Sequence, residues 1–226
     1  MKILFISLGC DKNLADSEEM LGLLTGNGHE IVDSEEEADA IVINTCCFIH
    51  DAKEESVNTI LEMAEYKKTG TCKILIVTGC MAQRYKEEIT EEIPEVDAVL
   101  GTTSYGDIVK ALNEAEAGHV FQEFKDINAL PEDSGRRVIT TGGHFGYLKI
   151  AEGCDKHCTY CIIPSLRGKF RSVPEERLLK QAEYMASQGV RELILVAQET
   201  TVYGTDLYGK KTLHILLKKL CQIKGI

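Results

Sequence analysis

Residues 2–10 read KILFISLGC. Five of the six residues after Lys2 are apolar, the composition of a strand covered on both faces, and the stretch closes on Gly9 and Cys10. The same wording returns twice, as AIVINTC at residues 40–46 and ILIVTGC at residues 74–80. Between these runs lie amphipathic segments. Residues 14–28, LADSEEMLGLLTGNG, place Leu14, Leu21 and Leu24 on one helical face and end on Gly26 and Gly28. Residues 51–68 form a longer helix with Val57, Ile60, Leu61 and Ala64 turned inward. A helix over 84–92, a short strand DAVLG at 97–101 and a helix over 107–117 complete the series. Strands alternating with helices predict an α/β fold, a flavodoxin/Rossmann-like parallel sheet with helices on its faces, over residues 1–120.

The rhythm stops after that. Residues 121–140 include the polar, turn-rich PEDSGRR and are expected to be a linker. Residues 141–226 resume with a strand at 147–151, a helix at 174–189, a strand at 192–198 and a helix at 213–220. Pro174 opens and Gly189 closes the first of those helices. This second part is again βαβα.

Composition narrows the class. The chain has 226 residues, 44% hydrophobic and 27% charged, the mixture of a globular protein. No apolar run reaches the roughly 18 residues of a membrane span, so no membrane-spanning role is expected. MKILFISLGC superficially resembles a lipoprotein leader, but it carries one basic residue, a short apolar core, and a helix pattern behind Cys10. A cytoplasmic location is expected. The net charge of −11 excludes a generally basic nucleic-acid coat. The charge is uneven: residues 1–150 hold 13 basic and 28 acidic side chains, a net of −15, and residues 151–226 hold 12 and 8, a net of +4. An acidic first domain suits a basic partner, and it also reads simply as solvated helix faces.

Nine cysteines are too many to pass over, and an odd number on long βα segments argues against a disulfide scaffold. GCDKHCTYC holds Cys154, Cys158 and Cys161 in a Cys-x3-Cys-x2-Cys spacing, in the loop behind a strand where α/β proteins build sites. Three thiolates in one loop can hold three irons of a cubane and leave the fourth open to a substrate. A zinc site completed by His157 or a distant cysteine is the alternative. Cys10, Cys46 and Cys80 pose a subtler case. Each follows a strand, 36 and 34 residues apart, about one βα unit each, so in a parallel sheet all three reach the same edge. They read either as a second three-thiolate metal site or as ordinary buried residues at strand ends. Gly9 and Gly79 allow tight turns before two of them. Cys47, Cys72 and Cys221 are read as structural, Cys72 at the start of a strand and Cys221 on an apolar helix face.

Cys154, Cys158 and Cys161, with aromatic Tyr160 before the last, resemble the radical S-adenosylmethionine (SAM) superfamily. LGCDKNLADSE, NTCCFI and VTGCMAQRY, followed by EGCDKHCTYCIIPSLRG and ELILVAQETTVYG, make nearly the whole chain resemble its methylthiotransferases. Within them it is most similar to the branch that modifies an aspartate of a ribosomal protein. The resemblance implies two [4Fe–4S] clusters and SAM as cofactors. Cys154, Cys158 and Cys161 would hold the cluster that cleaves SAM to methionine and a 5′-deoxyadenosyl radical. Cys10, Cys46 and Cys80 would hold an auxiliary cluster that delivers sulfur, with a second SAM as methyl donor. Tyr160, Gln198 and Glu199 are the expected SAM contacts, and no residue is assigned as general acid or base.

The implied reaction adds a methylthio group to the β-carbon of an aspartate in small-subunit ribosomal protein twelve, with an electron-donor protein as second partner. Two other readings stand beside it: a tRNA (adenosine) methylthiotransferase, and a non-catalytic two-cluster iron–sulfur fragment. A −15 domain is a poor surface for a polyanion, so nucleic acid is not the expected direct substrate. Two departures from the family pattern are plain. Ser172-Val173-Pro174 stands where Ser-Arg-Pro is common, leaving Arg171 as a substitute. The family's partial barrel of about six βα units and its TRAM domain are not matched: residues 141–226 are expected to be only the start of the radical SAM domain.

Overall fold

The computed structural model describes residues 1–132 and 134–226. The chain divides into two compact units, Met1–Arg137 and Val138–Ile226.

In the first unit β1 (Lys2–Ser7) leads into α1 (Asp11–Gly26), then β2 (Glu30–Val32), β3 (Ala40–Thr45) and α2 (His50–Thr69). β4 (Ile74–Gly79), α3 (Cys80–Arg84), α4 (Lys86–Glu92), β5 (Ala98–Leu100), α5 (Ile108–Glu116) and β6 (Phe121–Glu123) follow. The strands form one sheet in the order β2-β1-β3-β4-β5-β6, and every pairing is parallel. This is the expected flavodoxin-like arrangement with one more edge strand. All residues of β3 and β4 are buried, which is why their sequences are apolar without alternation. Ile3, Val42, Ile76 and Leu100 pack with Met20 and Leu24 of α1 and Ile108, Ala111 and Leu112 of α5. From β1 the chain runs to β2 on one side and then to β3 on the other. The sheet therefore reverses direction between β1 and β3, the place where such sheets open a crevice at their carboxyl edge.

The second unit holds β7 (Phe145–Lys149), β8 (Ala151–Glu152), α6 (Ile163–Arg167), β9 (Arg171–Ser172), α7 (Glu175–Ser187), β10 (Glu192–Val196), α8 (Thr205–Tyr208) and α9 (Leu213–Leu220). β7 and β10 pair in parallel through the α7 crossover, and α7 buries Leu178, Ala182 and Met185, one stripe at helical spacing. β8 and β9 pair antiparallel. The pair β7–α7–β10 is the start of a parallel βα array, as expected for a partial barrel.

Several expectations need correction. Two parts of the expected linker over 121–140 are built into the first unit. β6 pairs with β5, and the Arg137 guanidinium meets the Glu18 carboxylate at 2.6–2.7 Å with both side chains buried. The segment is polar because it forms a sheet edge and a neutralised ion pair. The helix expected over 84–92 is two helices that meet at Tyr85, and the first already starts at Cys80. Leu61 is exposed while Ile60, Met63 and Ala64 are buried, because the inward stripe of α2 runs one residue off the expected one. Cys72 is buried just before β4, and Cys221 is exposed just past the end of α9, so it lies on no apolar helix face.

Candidate metal centres

All nine cysteines are free thiols. Cys10, Cys46 and Cys80 follow β1, β3 and β4, which are neighbours in the sheet, so the topology brings all three to one stretch of its carboxyl edge. Cys10 is the N-cap of α1 and exposed, Cys46 is buried, and Cys80 opens α3 half-buried. Gly9 has φ +93°, and a Cβ there would stand 2.7 Å from the Cβ of Cys46 and 3.0 Å from its Sγ. The end of β1 thus lies directly against the second cysteine, an approach open only to glycine. Gly79, φ +94°, makes the same kind of turn into Cys80 against Asn44 and Thr45.

Polar side chains fix the backbone around these thiols. Ser56 of α2 accepts the Cys46 N–H at 3.0 Å and donates to the Cys46 carbonyl at 2.8 Å. Asn13, buried in the first turn of α1, donates from Nδ2 to the Leu8 carbonyl at 3.0 Å and the Thr45 carbonyl at 2.9 Å. The Cys80 thiol reaches Asn13 Oδ1 at 3.9 Å. Asn44 donates to the Asn13 carbonyl and to Ser17, both at 2.9 Å. Cys47 is buried next to Cys46. Burial, with Cys80 nearby, pushes its thiol up to about 12, so it stays protonated and donates to the Cys80 carbonyl at 3.3 Å.

Among the described residues no three His, Cys, Asp or Glu side chains converge tightly enough for a single metal ion. A multi-iron cluster takes one thiolate on each of separate irons, so its ligands stand further apart than those of one zinc ion. The donor set itself, three free thiols with no acid or imidazole among them, matches the same group.

Cys154, Cys158 and Cys161 lie in the loop between β8 and α6, and the base of that loop is closed on several sides. β8 pairs with β9, the Cys154 N–H donates to the Gly168 carbonyl at 3.1 Å, and the Phe170 N–H donates to Asp155 at 3.0 Å. Gly153 has φ +71°, and a Cβ there would strike the Lys169 carbonyl at 2.1 Å. Within the loop the Cys161 N–H donates to the Cys158 carbonyl at 3.0 Å, one turn that draws those two residues together. Glu152 lies beneath. Its carboxylate meets Lys149 at 2.5 Å and Arg167 at 3.4 Å, all three side chains being buried. Burial alone would raise the Glu152 carboxyl, but Lys149 and Arg167 outweigh it and hold it at about 2.

The remaining expected residues are spread unevenly. Tyr160 exposes 86% of its surface at the tip of the cysteine loop. Glu199, behind β10, forms an ion pair with Lys156 inside the loop, and that ammonium holds its carboxyl at about 2. Gln198 Oε1 is buried with no hydrogen-bond partner among the described residues. Arg171 donates to the Arg167 carbonyl at 3.0 Å and to the Lys169 carbonyl, so its guanidinium braces the loop's return strand. Asn13, Ser56 and Glu152 carry no periodic signal, and reasoning from sequence did not find them. Their best trace is a polar residue where the pattern calls for an apolar one.

Residues 2–101 match a family described as Uncharacterized protein family UPF0004, and residues 148–225 match the Radical SAM superfamily. A solved cobalamin-dependent SAM radical enzyme, OxsB, shares the fold over 98% of this chain and 36% of its own, with a TM-score of 0.54 at 14% identity. Fold and cysteine loop thus define a radical SAM protein, a class that works through a [4Fe–4S] cluster and SAM. The chain is 66% identical to "Ribosomal protein uS12 methylthiotransferase RimO" of Lachnoclostridium phytofermentans and 51% identical to the protein of that name from Clostridioides difficile. Both matches cover 100% of this chain and 51% of the relative, so the chain spans about half the length of the curated relatives it matches. It belongs to the RimO-type methylthiotransferases.

Proposed function

We propose that the chain carries two [4Fe–4S] clusters, at Cys10, Cys46 and Cys80 and at Cys154, Cys158 and Cys161, and serves methylthio transfer to the β-carbon of an aspartate in small-subunit ribosomal protein uS12. The observation that carries this is the pairing of two three-thiol sets, each with one coordination position left over. The relatives are named for that activity on uS12, and the acidic first unit suits a basic ribosomal protein. When bound, the second-unit cluster supplies the electron that cleaves SAM, and the first-unit cluster holds the sulfur to be transferred.

The chain's own residues prepare these sites. The Glu152 ion cluster and the Cys154–Gly168 backbone bond hold the cysteine loop closed. Gln198 Oε1 is an acceptor in want of a donor, which the amino group of SAM would provide, with Glu199 beside it as a counter-charge. Tyr160, exposed at the loop tip, would cover the adenine. An electron-donor protein is required, and the work is assigned to the cytoplasm. Among the described residues no helix is long and apolar enough to cross a membrane.

The test is anaerobic reconstitution of the chain. It is expected to bind roughly eight irons, and about four after either cysteine set is changed to alanine. Cys47→Ser, Cys72→Ser and Cys221→Ser leave the count unchanged. With dithionite and SAM the parent yields 5′-deoxyadenosine, and loss of the Cys154 set abolishes it. About one zinc and no iron overturns the proposal.

A further inference from the structure

The first cysteine set poses a problem of assembly. Its members lie 36 and 34 residues apart, each at the end of a strand where the backbone ladder has stopped. The last main-chain bond between β1 and β3 runs from the Leu8 N–H to the Asn44 carbonyl at 2.9 Å. Beyond it the Leu8 and Thr45 carbonyls point into buried space, and the Asn13 amide takes both. One primary amide thereby continues the ladder past its end and ties the residues preceding Cys10 and Cys46 to each other.

The amide's orientation is not free. Two carbonyl oxygens can be met only by Nδ2, so Oδ1 must face the other way, and there it meets the Cys80 thiol. Asn13 thus touches all three strand ends that carry the cysteines. It is 1% exposed, and its own main-chain carbonyl is held by Asn44 and by Ser17. Neither aspartate nor alanine reproduces this. Aspartate sets a carboxylate against two carbonyls, and alanine leaves both carbonyls buried without their donor.

We propose that Asn13 is the positioning residue of the first-unit cluster: its side-chain amide sets the three strand-end cysteines in register before iron arrives, and its Oδ1 places a fixed dipole against the Cys80 sulfur. The inference rests on the reading of Cys10, Cys46 and Cys80 as a cluster site. It requires that substitution of Asn13 alter the cluster more than it alters the fold. Ser17 supplies the comparison, because it belongs to the same buried network through Asn44, Ser7 and the Asn13 main-chain carbonyl, and it bonds neither the Leu8 carbonyl, the Thr45 carbonyl nor the Cys80 thiol that the Asn13 side chain meets.

The test uses the full chain with Cys154, Cys158 and Cys161 changed to alanine, so that only the first-unit site takes up iron. Three measurements are made on this parent and on its Asn13→Ala, Asn13→Asp and Ser17→Ala derivatives: thermal midpoint of the iron-free protein, iron retained after reconstitution and gel filtration, and reduction potential of the cluster. Asn13→Ala is expected to retain at least fivefold less iron, and Asn13→Asp to shift the potential of what it retains to more negative values. Ser17→Ala is expected to lower the iron-free midpoint while keeping the parent's iron and potential. Parental iron and potential in both Asn13 variants overturn the inference. So does Ser17→Ala losing iron in the same proportion to its midpoint, since that marks a purely structural role. If the parent with Asn13 intact takes up no iron, the cluster site itself falls and the inference falls with it.

Discussion

Glu152→Gln puts the second site's foundation to the test. The Glu152 carboxylate forms ion pairs with both Lys149 and Arg167, and all three side chains are at most 8% exposed. Substitution by glutamine keeps the shape and removes the buried negative charge that both cations meet. Breaking a buried pair by removing one partner costs about 3–5 kcal/mol. In a unit of this size each kcal/mol moves the midpoint by roughly 4–8 °C, so the second unit is expected to melt at least ~12 °C earlier. Calorimetry of the iron-free chain measures this, with hydrogen exchange of the β7 and β10 amides assigning the transition. Acidity gives a second reading. The Glu152 carboxyl is depressed in the folded chain, so its contribution is complete above the ordinary carboxylate pKa of about 4.3 and is lost as pH falls from there toward about 2. Glu152→Gln therefore flattens the acid limb of stability over that window. Replacing Lys149, Glu152 and Arg167 together by methionine is expected to restore most of the midpoint, because no charge is then stranded. A Glu152→Gln chain whose second-unit midpoint lies within about 4 °C of the parent's refutes the reasoning.

Three further outcomes follow from the first unit. Arg137→Met leaves Glu18 with a fully buried carboxylate and lowers unfolding stability in urea by about 3–5 kcal/mol, and Glu18→Leu in the same chain recovers most of it. Gly79→Ala strains a backbone at φ +94° and drives a Cβ to 2.3 Å from Asn44 Oδ1, so it reduces first-unit iron as well as stability. Gly28→Ala, at φ +84° with open space around it, costs only about 1–2 kcal/mol of backbone strain and leaves the iron count intact.

The parts of the fold visible in the sequence are those whose pattern is forced by burial. β3 and β4 read as strands because both of their faces are covered, β1 because its Ile3 and Leu4, on opposite faces, are buried, and α7 reads as a helix because one stripe is. β2 and β6 did not read as strands. Each has three residues at a sheet edge, where one side meets water and the side chains of EIV and FQE give no alternation to follow. The places of the cysteines were legible by spacing alone, three in one loop and three at the ends of neighbouring strands. The side chains that hold them in place were not. Asn13 answers a carbonyl 32 residues away, Arg137 answers a carboxylate 119 residues away, and neither partner can be known before the strands are set side by side.

The two cysteine sets are encoded in opposite ways, and this has a physical consequence. Cys154, Cys158 and Cys161 lie within one loop, and closing it needs only its local base: Glu152 with Lys149 and Arg167, and the bond from Cys154 to Gly168. Cys10, Cys46 and Cys80 are brought together by three strands and two crossovers, so their site exists only when the whole first unit is folded. A group that binds the folded chain and not the unfolded one stabilises it by its full binding free energy. Iron at the strand-end site would therefore be coupled to global unfolding of the first unit, and loading it is expected to raise that unit's midpoint. Iron at the loop site is coupled to a smaller opening, because the thiols within a few residues of one another keep part of their affinity when the unit unfolds. The strand-end site is in turn the one most exposed to distant damage. Any substitution that loosens β1, β3 or β4, the Gly79 turn above all, reaches the cluster through the register of the sheet.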